Sequence, residues 1–284
     1  MRVIKFVAIA GLLYLAIVLF YTLMQRSFIY FPQTQNLDTA LASVERLDGS
    51  AWRDVDGSWL GWRRTSPGAT RRVLVMHGNG GQALDRRYIT ELFRGLRESG
   101  PWDVYVLEYP GYGPRAGRPS EQALRDAALQ ATELLLQEQP GQVLLVGESL
   151  GSGVAAHVAT ARPEAVAGLL LITPFASLGA VAQSHMPFLP VSLLLRDRFD
   201  TRKLLVDYAG PMVIVTGADD SIVPELLALP LKEAHRGKLL HWSQPGAGHN
   251  TIDFDPGDEG WQAIDAFLAA AMDSVANRQH RGRQ

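Results

Sequence analysis

From residue 73 onward, short uninterrupted apolar runs alternate with longer stretches in which apolar residues recur at helical spacing. The runs fall at 73–76, 104–107, 143–146, 169–172, 212–215 and 239–242, and the helix-like stretches at about 84–97, Glu121–Glu138, Leu150–Ala161 and 261–275. Continuous apolar runs this short read as strands buried on both faces. Helices between them predict a mostly parallel sheet covered on both sides. Ser120, behind Pro119, stands where an N-cap would start the helix at Glu121. Upstream, strands are expected around 43–47 and 57–63, with Asp56-Gly57 as the turn before the second. Residues 174–207 break the alternation, since they are too many for a simple connection. They carry Met186-Pro187-Phe188-Leu189-Pro190 and Leu193-Leu194-Leu195, and they leave the carboxyl end of a strand, where open α/β sheets bind ligands. A short apolar lid over the site is expected, and an extra helix pair packed on the domain is the competing reading.

The N-terminal pattern is different in kind. Residues 6–24 carry no charge and, at 1.5 Å per residue, would reach about 28 Å as a helix, close to the hydrocarbon thickness of a bilayer. The run continues through Phe20-Tyr21 to Met24-Gln25-Arg26 without a small-residue cleavage site, which favours a retained anchor over residues 1–27 against a cleaved signal peptide. Arg2 and Lys5 before it place the N-terminus inside and the remaining chain on the non-cytoplasmic side, as a single-pass protein. Phe28-Ile29-Tyr30-Phe31-Pro32 then either lies at the membrane surface or begins the domain. The domain is expected over 28–275, with a polar tail over 276–284.

Composition narrows the chemistry. A chain of 284 residues, 47% apolar, can bury one large core. A net charge of -2, with arginines in short dispersed pairs, argues against a nucleic-acid partner. The absence of cysteine removes thiol catalysis, disulfides and cysteine-ligated metals. Oligomeric state is not legible.

Gly147-Glu148-Ser149-Leu150-Gly151 joins the apolar run at 143–146 to the small-residue helix from Leu150. That context fits a nucleophile elbow, a tight turn holding Ser149 in a strained conformation, with glycines where a Cβ would clash. A serine needs a base and an orienting carboxylate. His249, in Gly246-Ala247-Gly248-His249-Asn250, is the histidine in a glycine-rich loop after the last strand. His157 lies inside the elbow helix, His235 and His241 flank the last strand, His280 is in the tail, and His185 falls in the lid, where contact with substrate stays open. For the acid, either Asp219 or Asp220 follows the run at 212–215, with Asp220 preferred and Asp219 as a solvated turn residue. The order Ser149, Asp220, His249 suits the arrangement. His77-Gly78-Asn79-Gly80-Gly81 supplies a loop for the oxyanion, with the N–H groups of Asn79 and Leu150 as donors. His77 precedes the serine and is expected to brace that loop rather than act as base.

In these motifs the chain resembles the α/β-hydrolase superfamily from residue 28 to 275, and more narrowly the membrane-anchored serine hydrolases with a short cap. The resemblance rests on His77-Gly78-Asn79-Gly80-Gly81, on Tyr109-Pro110-Gly111-Tyr112-Gly113 with Gly117-Arg118-Pro119-Ser120-Glu121, on the elbow, on Gly217 with Asp220 and Val223-Pro224, and on Gly248-His249. It implies an α/β-hydrolase fold, the triad above with Asp220 as its acid, and cofactor-free esterase, lipase-like or acyl-protein thioesterase chemistry. The expected substrate is a small acyl ester or thioester, possibly a lipid, with no metal. A serine peptidase on the same fold and a non-catalytic membrane scaffold are the rival readings.

Overall fold

The structure is a computed structural model that describes residues 1–281. Its main sheet comprises β1 (Ser50–Arg53), β2 (Trp59–Arg64), β3 (Arg71–Met76), β4 (Trp102–Leu107), β5 (Val143–Glu148), β6 (Val166–Ile172), β7 (Met212–Gly217) and β8 (Leu239–Gln244). Their spatial order is β8-β7-β6-β5-β3-β4-β2-β1. The pairs β1–β2 and β2–β4 are antiparallel and the others parallel. The helices are α1 (Arg2–Ile29), α2 (Leu37–Arg46), α3 (Arg87–Gly95), α4 (Glu121–Glu138), α5 (Leu150–Ala161), α6 (Leu178–His185), α7 (Val191–Leu194), α8 (Thr201–Leu205), α9 (Leu229–Ala234) and α10 (Glu259–Arg281).

Strand geometry sends alternate side chains to opposite faces, and each face has its own core. Leu74 and Met76 of β3 join Leu145, with Leu124 and Ala128 of α4 and Val154 and Val158 of α5. Val73 and Val75 join Leu144 and Val146, with Ile89 and Leu92 of α3 and Trp261 and Ile264 of α10. The mostly parallel sheet covered on both faces is therefore as the apolar runs predict.

Three local expectations need correction. Residues 43–46 belong to α2 rather than to a strand. Asn36 caps that helix by accepting the Thr39 N–H at 2.8 Å, and Ala40 and Val44, one helical turn apart, bury a single face. The strand in this region is β1, whose Trp52 is buried. The stretch expected as helix over 84–97 begins as a 3-10 turn, Ala83–Arg86, before α3. The last helix continues through Arg281 instead of ending near 275, and residues 282–284 of the expected tail lie outside the described residues. The N-cap at Ser120 is as expected, its Oγ accepting the Ala123 N–H at 3.1 Å.

Residues 174–207 split into two parts. α8 packs against α5, where the Thr160 hydroxyl donates to the Leu204 carbonyl at 3.0 Å, and Phe199 is buried. α6 and α7 stand beside the last turns of α1 instead. There Gln25 receives the Arg196 N–H at 2.7 Å and donates to the Leu194 carbonyl at 3.3 Å. Arg26 forks onto the buried Asp197 at 2.9 and 3.2 Å, and the Tyr30 hydroxyl donates to the same carboxylate at 3.0 Å. Beyond α1 the chain turns directly into a parallel ladder, Phe31–Pro32 against Gly80–Gly81. The aromatic stretch at 28–32 thus begins the domain.

Asp265 of α10 staples that helix to the turn before β4. Its carboxylate accepts the N–H groups of Arg97, Glu98 and Ser99 at 2.7, 2.9 and 2.8 Å. Hydrogen bonds to a charged acceptor are worth about 1.5–3 kcal/mol, and buried donors left unpaired cost more. Asp265→Ala is expected to lower unfolding free energy by about 3 kcal/mol, read as a fall in midpoint in thermal or denaturant unfolding.

Candidate active site

The sharpest feature of the backbone is Ser149, at the junction of β5 and α5. Its φ of 49° and ψ of -113° lie where a residue with a side chain is strained. The flanking glycines make this turn possible. A Cβ on Gly147 would come within 2.6 Å of Ser152 Cα, and one on Gly151 within 2.0 Å of the Met76 carbonyl oxygen. The Ser149 N–H donates to Ile172 at 2.8 Å, tying the turn to the end of β6.

From that position the Ser149 hydroxyl lies 2.9 Å from Nε2 of His249, and Nδ1 of His249 lies 2.7 Å from Oδ2 of Asp220. The other Asp220 oxygen accepts the N–H groups of Ile222 and Val223 at 2.9 and 2.7 Å, so the carboxylate is fixed before it meets the imidazole. Asp220 is buried, whereas Asp219 is exposed and uses its backbone N–H to hold the Ala247 carbonyl at 2.9 Å. The loops that carry Asp220 and His249 touch closely, since a Cβ on Gly217 would sit 2.4 Å from the Ala247 oxygen. Gln244 of β8 fastens the second loop by donating to the Asp253 carbonyl at 3.0 Å and accepting the Asp253 N–H at 2.7 Å. The spacing expected from sequence brings Ser149, His249 and Asp220 into one relay.

Leu150 opens α5, where an N–H has no intrahelical acceptor and the helix dipole favours negative charge. Asn79 is held from three sides. Its carbonyl accepts the Phe31 N–H at 2.9 Å and the Tyr112 hydroxyl at 2.7 Å, and its side-chain amide donates to the Ile29 carbonyl at 2.7 Å. His77 is fully buried, with Nε2 3.3 Å from Glu108, and its carbonyl accepts the Tyr109 hydroxyl at 3.0 Å. Its ring is occupied with the loop it supports, Nδ1 lying 2.8 Å from the Gly78 carbonyl, and takes no part in the relay's hydrogen bonds.

The sequence reading missed Glu148, Arg86 and Tyr88. Arg86 donates to Glu148 at 2.7 Å and to the Gly80 carbonyl at 2.8 Å, while Glu148 accepts the Gly78 N–H at 3.3 Å and the Tyr88 hydroxyl. Burial pushes the Glu148 carboxyl up, but the Arg86 guanidinium and the Tyr88 hydroxyl outweigh it and hold the group below the usual carboxylate range. Glu148 occupies the variable position before the serine, and Arg86 reads as one of a surface pair. Nothing in the string marks either of them, because the contact joins residues 62 apart in the chain.

Two cavities lie near the site, of which only the second is lined by a residue of the relay, His249. One of about 290 Å³ lies between α1, α6 and α7 and reaches Asn79. The other, of about 810 Å³, opens beside His249 between Arg87, Asn250 and Asp253. His185 lines the first and its Nε2 lies 2.8 Å from the Ile222 carbonyl. Burial, first among the causes, lowers the pKa of both His157 and His235. Among the described residues no group of histidines and carboxylates is arranged to hold a metal ion.

Residues 73–212 match the family model described as "Alpha/beta hydrolase family". The chain is 34% identical over 278 residues to the uncharacterized protein Rv2307c of Mycobacterium tuberculosis, covering 94% of this chain and 95% of that one. It is 30% identical over 216 residues to alpha/beta hydrolase domain-containing protein 17C of Xenopus tropicalis, covering 74% of this chain and 66% of that one. Among solved structures, the Pyrococcus furiosus esterase PF2001 superposes with a TM-score of 0.60 at 17% identity, over 86% of this chain and 98% of the esterase.

Breaking a partly buried ion pair by removing one partner strands the other charge, a loss of about 3 kcal/mol or more. Arg86→Met should lower stability by about that amount near neutral pH. The folded Glu148 carboxyl titrates below the unfolded one, so the pair's contribution is complete above about pH 4.3 and is lost as pH falls through the lower folded value. Thermal unfolding of wild type and Arg86→Met across pH should therefore converge in acid.

Proposed function

The chain belongs to the α/β-hydrolase family, and on that premise we propose that it is a membrane-tethered serine hydrolase of carboxylic esters or thioesters. The observation that carries the reading is the continuous relay from Ser149 through His249 to Asp220, set on a strained turn at the start of α5. Neutral His249 takes the Ser149 proton on Nε2 while its Nδ1–H donates to Asp220, and Ser149 Oγ bonds to the acyl carbon. The oxyanion is held by the N–H groups of Leu150 and Asn79, each such donor typically lowering the barrier by about 3 kcal/mol. Collapse breaks the bond to the leaving alcohol or thiol, which receives the proton from His249. Water, deprotonated by the same imidazole, then releases the acid and restores Ser149.

One neighbour in fold, PF2001, is an esterase, in keeping with the hydrolase reading. The apolar cavity at Asn79 favours an acyl group over an extended peptide. α1 supports the tether. It is long and apolar enough to cross a membrane, and Arg2 and Lys5 orient its N-terminus inward, with the domain on the non-cytoplasmic side. Its last turns also argue for retention over cleavage, because Asp197 is buried and takes its cation from Arg26.

Ser149→Ala should reduce hydrolysis of a p-nitrophenyl ester by about 10⁴-fold or more and abolish fluorophosphonate labelling. A folded mutant that retains near-normal turnover would sink the assignment. Asp220→Asn should cost about 10³–10⁴-fold, and Asp219→Asn no more than about threefold, in the same assay.

A further inference from the structure

α1 does more than hold the domain at a surface, because its last turns form one wall of the cavity that ends at Asn79. Tyr21, Gln25 and Phe28 line that wall, and Leu178, Val181 and Leu194 of the α6–α7 segment line the other. Asn79, whose N–H is the proposed oxyanion donor, lines this cavity whereas Ser149, Leu150 and His249 do not, so an acyl chain lying here would reach Ser149 past Asn79. Resting on the Ser149 reading above, we propose that the acyl group lies between α1 and the α6–α7 segment and that it is of medium length.

The length follows from the wall. Cavity-lining residues on α1 run from Tyr21 to Ile29, eight helical rises or about 12 Å. An extended polypeptide advances 3.3–3.6 Å per three backbone bonds, so an extended hydrocarbon chain of similar geometry covers that distance in about ten bonds. Octanoyl and decanoyl groups fit, and longer chains run past the groove.

The approach is through lipid. The Tyr14 hydroxyl donates to the Phe188 carbonyl at 3.0 Å, so α1 is in contact with the α6–α7 segment from its midpoint onward. The residues before that contact, Arg2 to Leu13, cover only about 18 Å of a hydrocarbon core about 30 Å thick. If α1 crosses the bilayer, this segment must enter the near leaflet beside it. Two of its outward residues suit that setting, with Phe188 56% and Leu193 81% exposed, while Gln183, Ser184 and His185 at the end of α6 are exposed polar groups that belong at the headgroup level. The cavity between α1 and this segment then faces hydrocarbon, and the substrate is an acyl ester or thioester drawn laterally from the leaflet. The more polar cavity beside His249, with Arg87, Asn250 and Asp253, takes the leaving group on the side from which its proton comes.

The test uses the full chain in bilayer discs with p-nitrophenyl esters from acetyl to palmitoyl. Wild type should peak at octanoyl to decanoyl. Thr22→Trp on the α1 wall and Val181→Trp on the opposite wall should each lower the decanoyl-to-acetyl ratio of kcat/KM by at least about tenfold, while Leu19→Trp, on an exposed face of α1, leaves that ratio unchanged. Two wall variants guard against one that fails to fold, as judged by thermal unfolding. An unchanged ratio in a folded wall variant, or a wild-type peak at acetyl or palmitoyl, overturns the inference while leaving Ser149 as the nucleophile. Wild type that neither hydrolyses any ester nor takes a fluorophosphonate label overturns the Ser149 reading, and this inference falls with it.

Discussion

The constraint on which the site depends is the contact of Gly151 with the end of β3. A hydrogen is the largest group that fits there, since a Cβ would stand 2.0 Å from the Met76 oxygen and 2.8 Å from that of His77. This brings the first turn of α5 against the start of the His77–Gly81 loop. A looser approach would disperse the neighbours of Ser149, which is itself buried. The strain at Ser149 follows from the same closeness: the chain must reverse from β5 into α5 without room for an ordinary turn.

Around this contact, each loop is held by a different chemical device. Asp220 is fixed by two backbone N–H groups before its remaining oxygen meets His249. The His249 loop is bolted to β8 through Gln244. The Asn79 loop is clamped by Arg86 below, by Tyr112 at the side, and by the chain just beyond α1 through Phe31. Preorganisation of this kind would let the proposed donors and base act without reordering during reaction.

How much of this was legible in the sequence follows from the range of the interactions. The sheet was readable because its strands are buried on both faces and therefore apolar without interruption, as at 143–146. Ser149, Asp220 and His249 were readable because each sits at a strand end marked by glycines. α2 was misread because Val44 and Leu47 show only a fragment of helical spacing, and the Asn36 cap that decides the matter is polar and local. Glu148, Arg86 and Gln244 escaped because their roles exist only once distant loops meet. Asp197 escaped for the same reason, its partners Arg26 and Tyr30 lying 171 and 167 residues away.

That clasp has a mechanical consequence. A domain joined to its anchor by a flexible linker wanders over the membrane and presents its site at many heights and angles. Here helix passes into hydrogen-bonded ladder within two residues, and Gln25 and Arg26 grip the α6–α7 segment on the way. The domain is mounted rather than leashed. If α1 is the tether proposed above, the tilt of the domain and the height of Ser149 are set by helical register, in which one residue inserted within α1 shifts the mount by about 1.5 Å and rotates it by about 100°. Under the proposed tether and the proposed chemistry, the length of α1 would be a gauge, fixing how far from the lipid surface the carbonyl is cut.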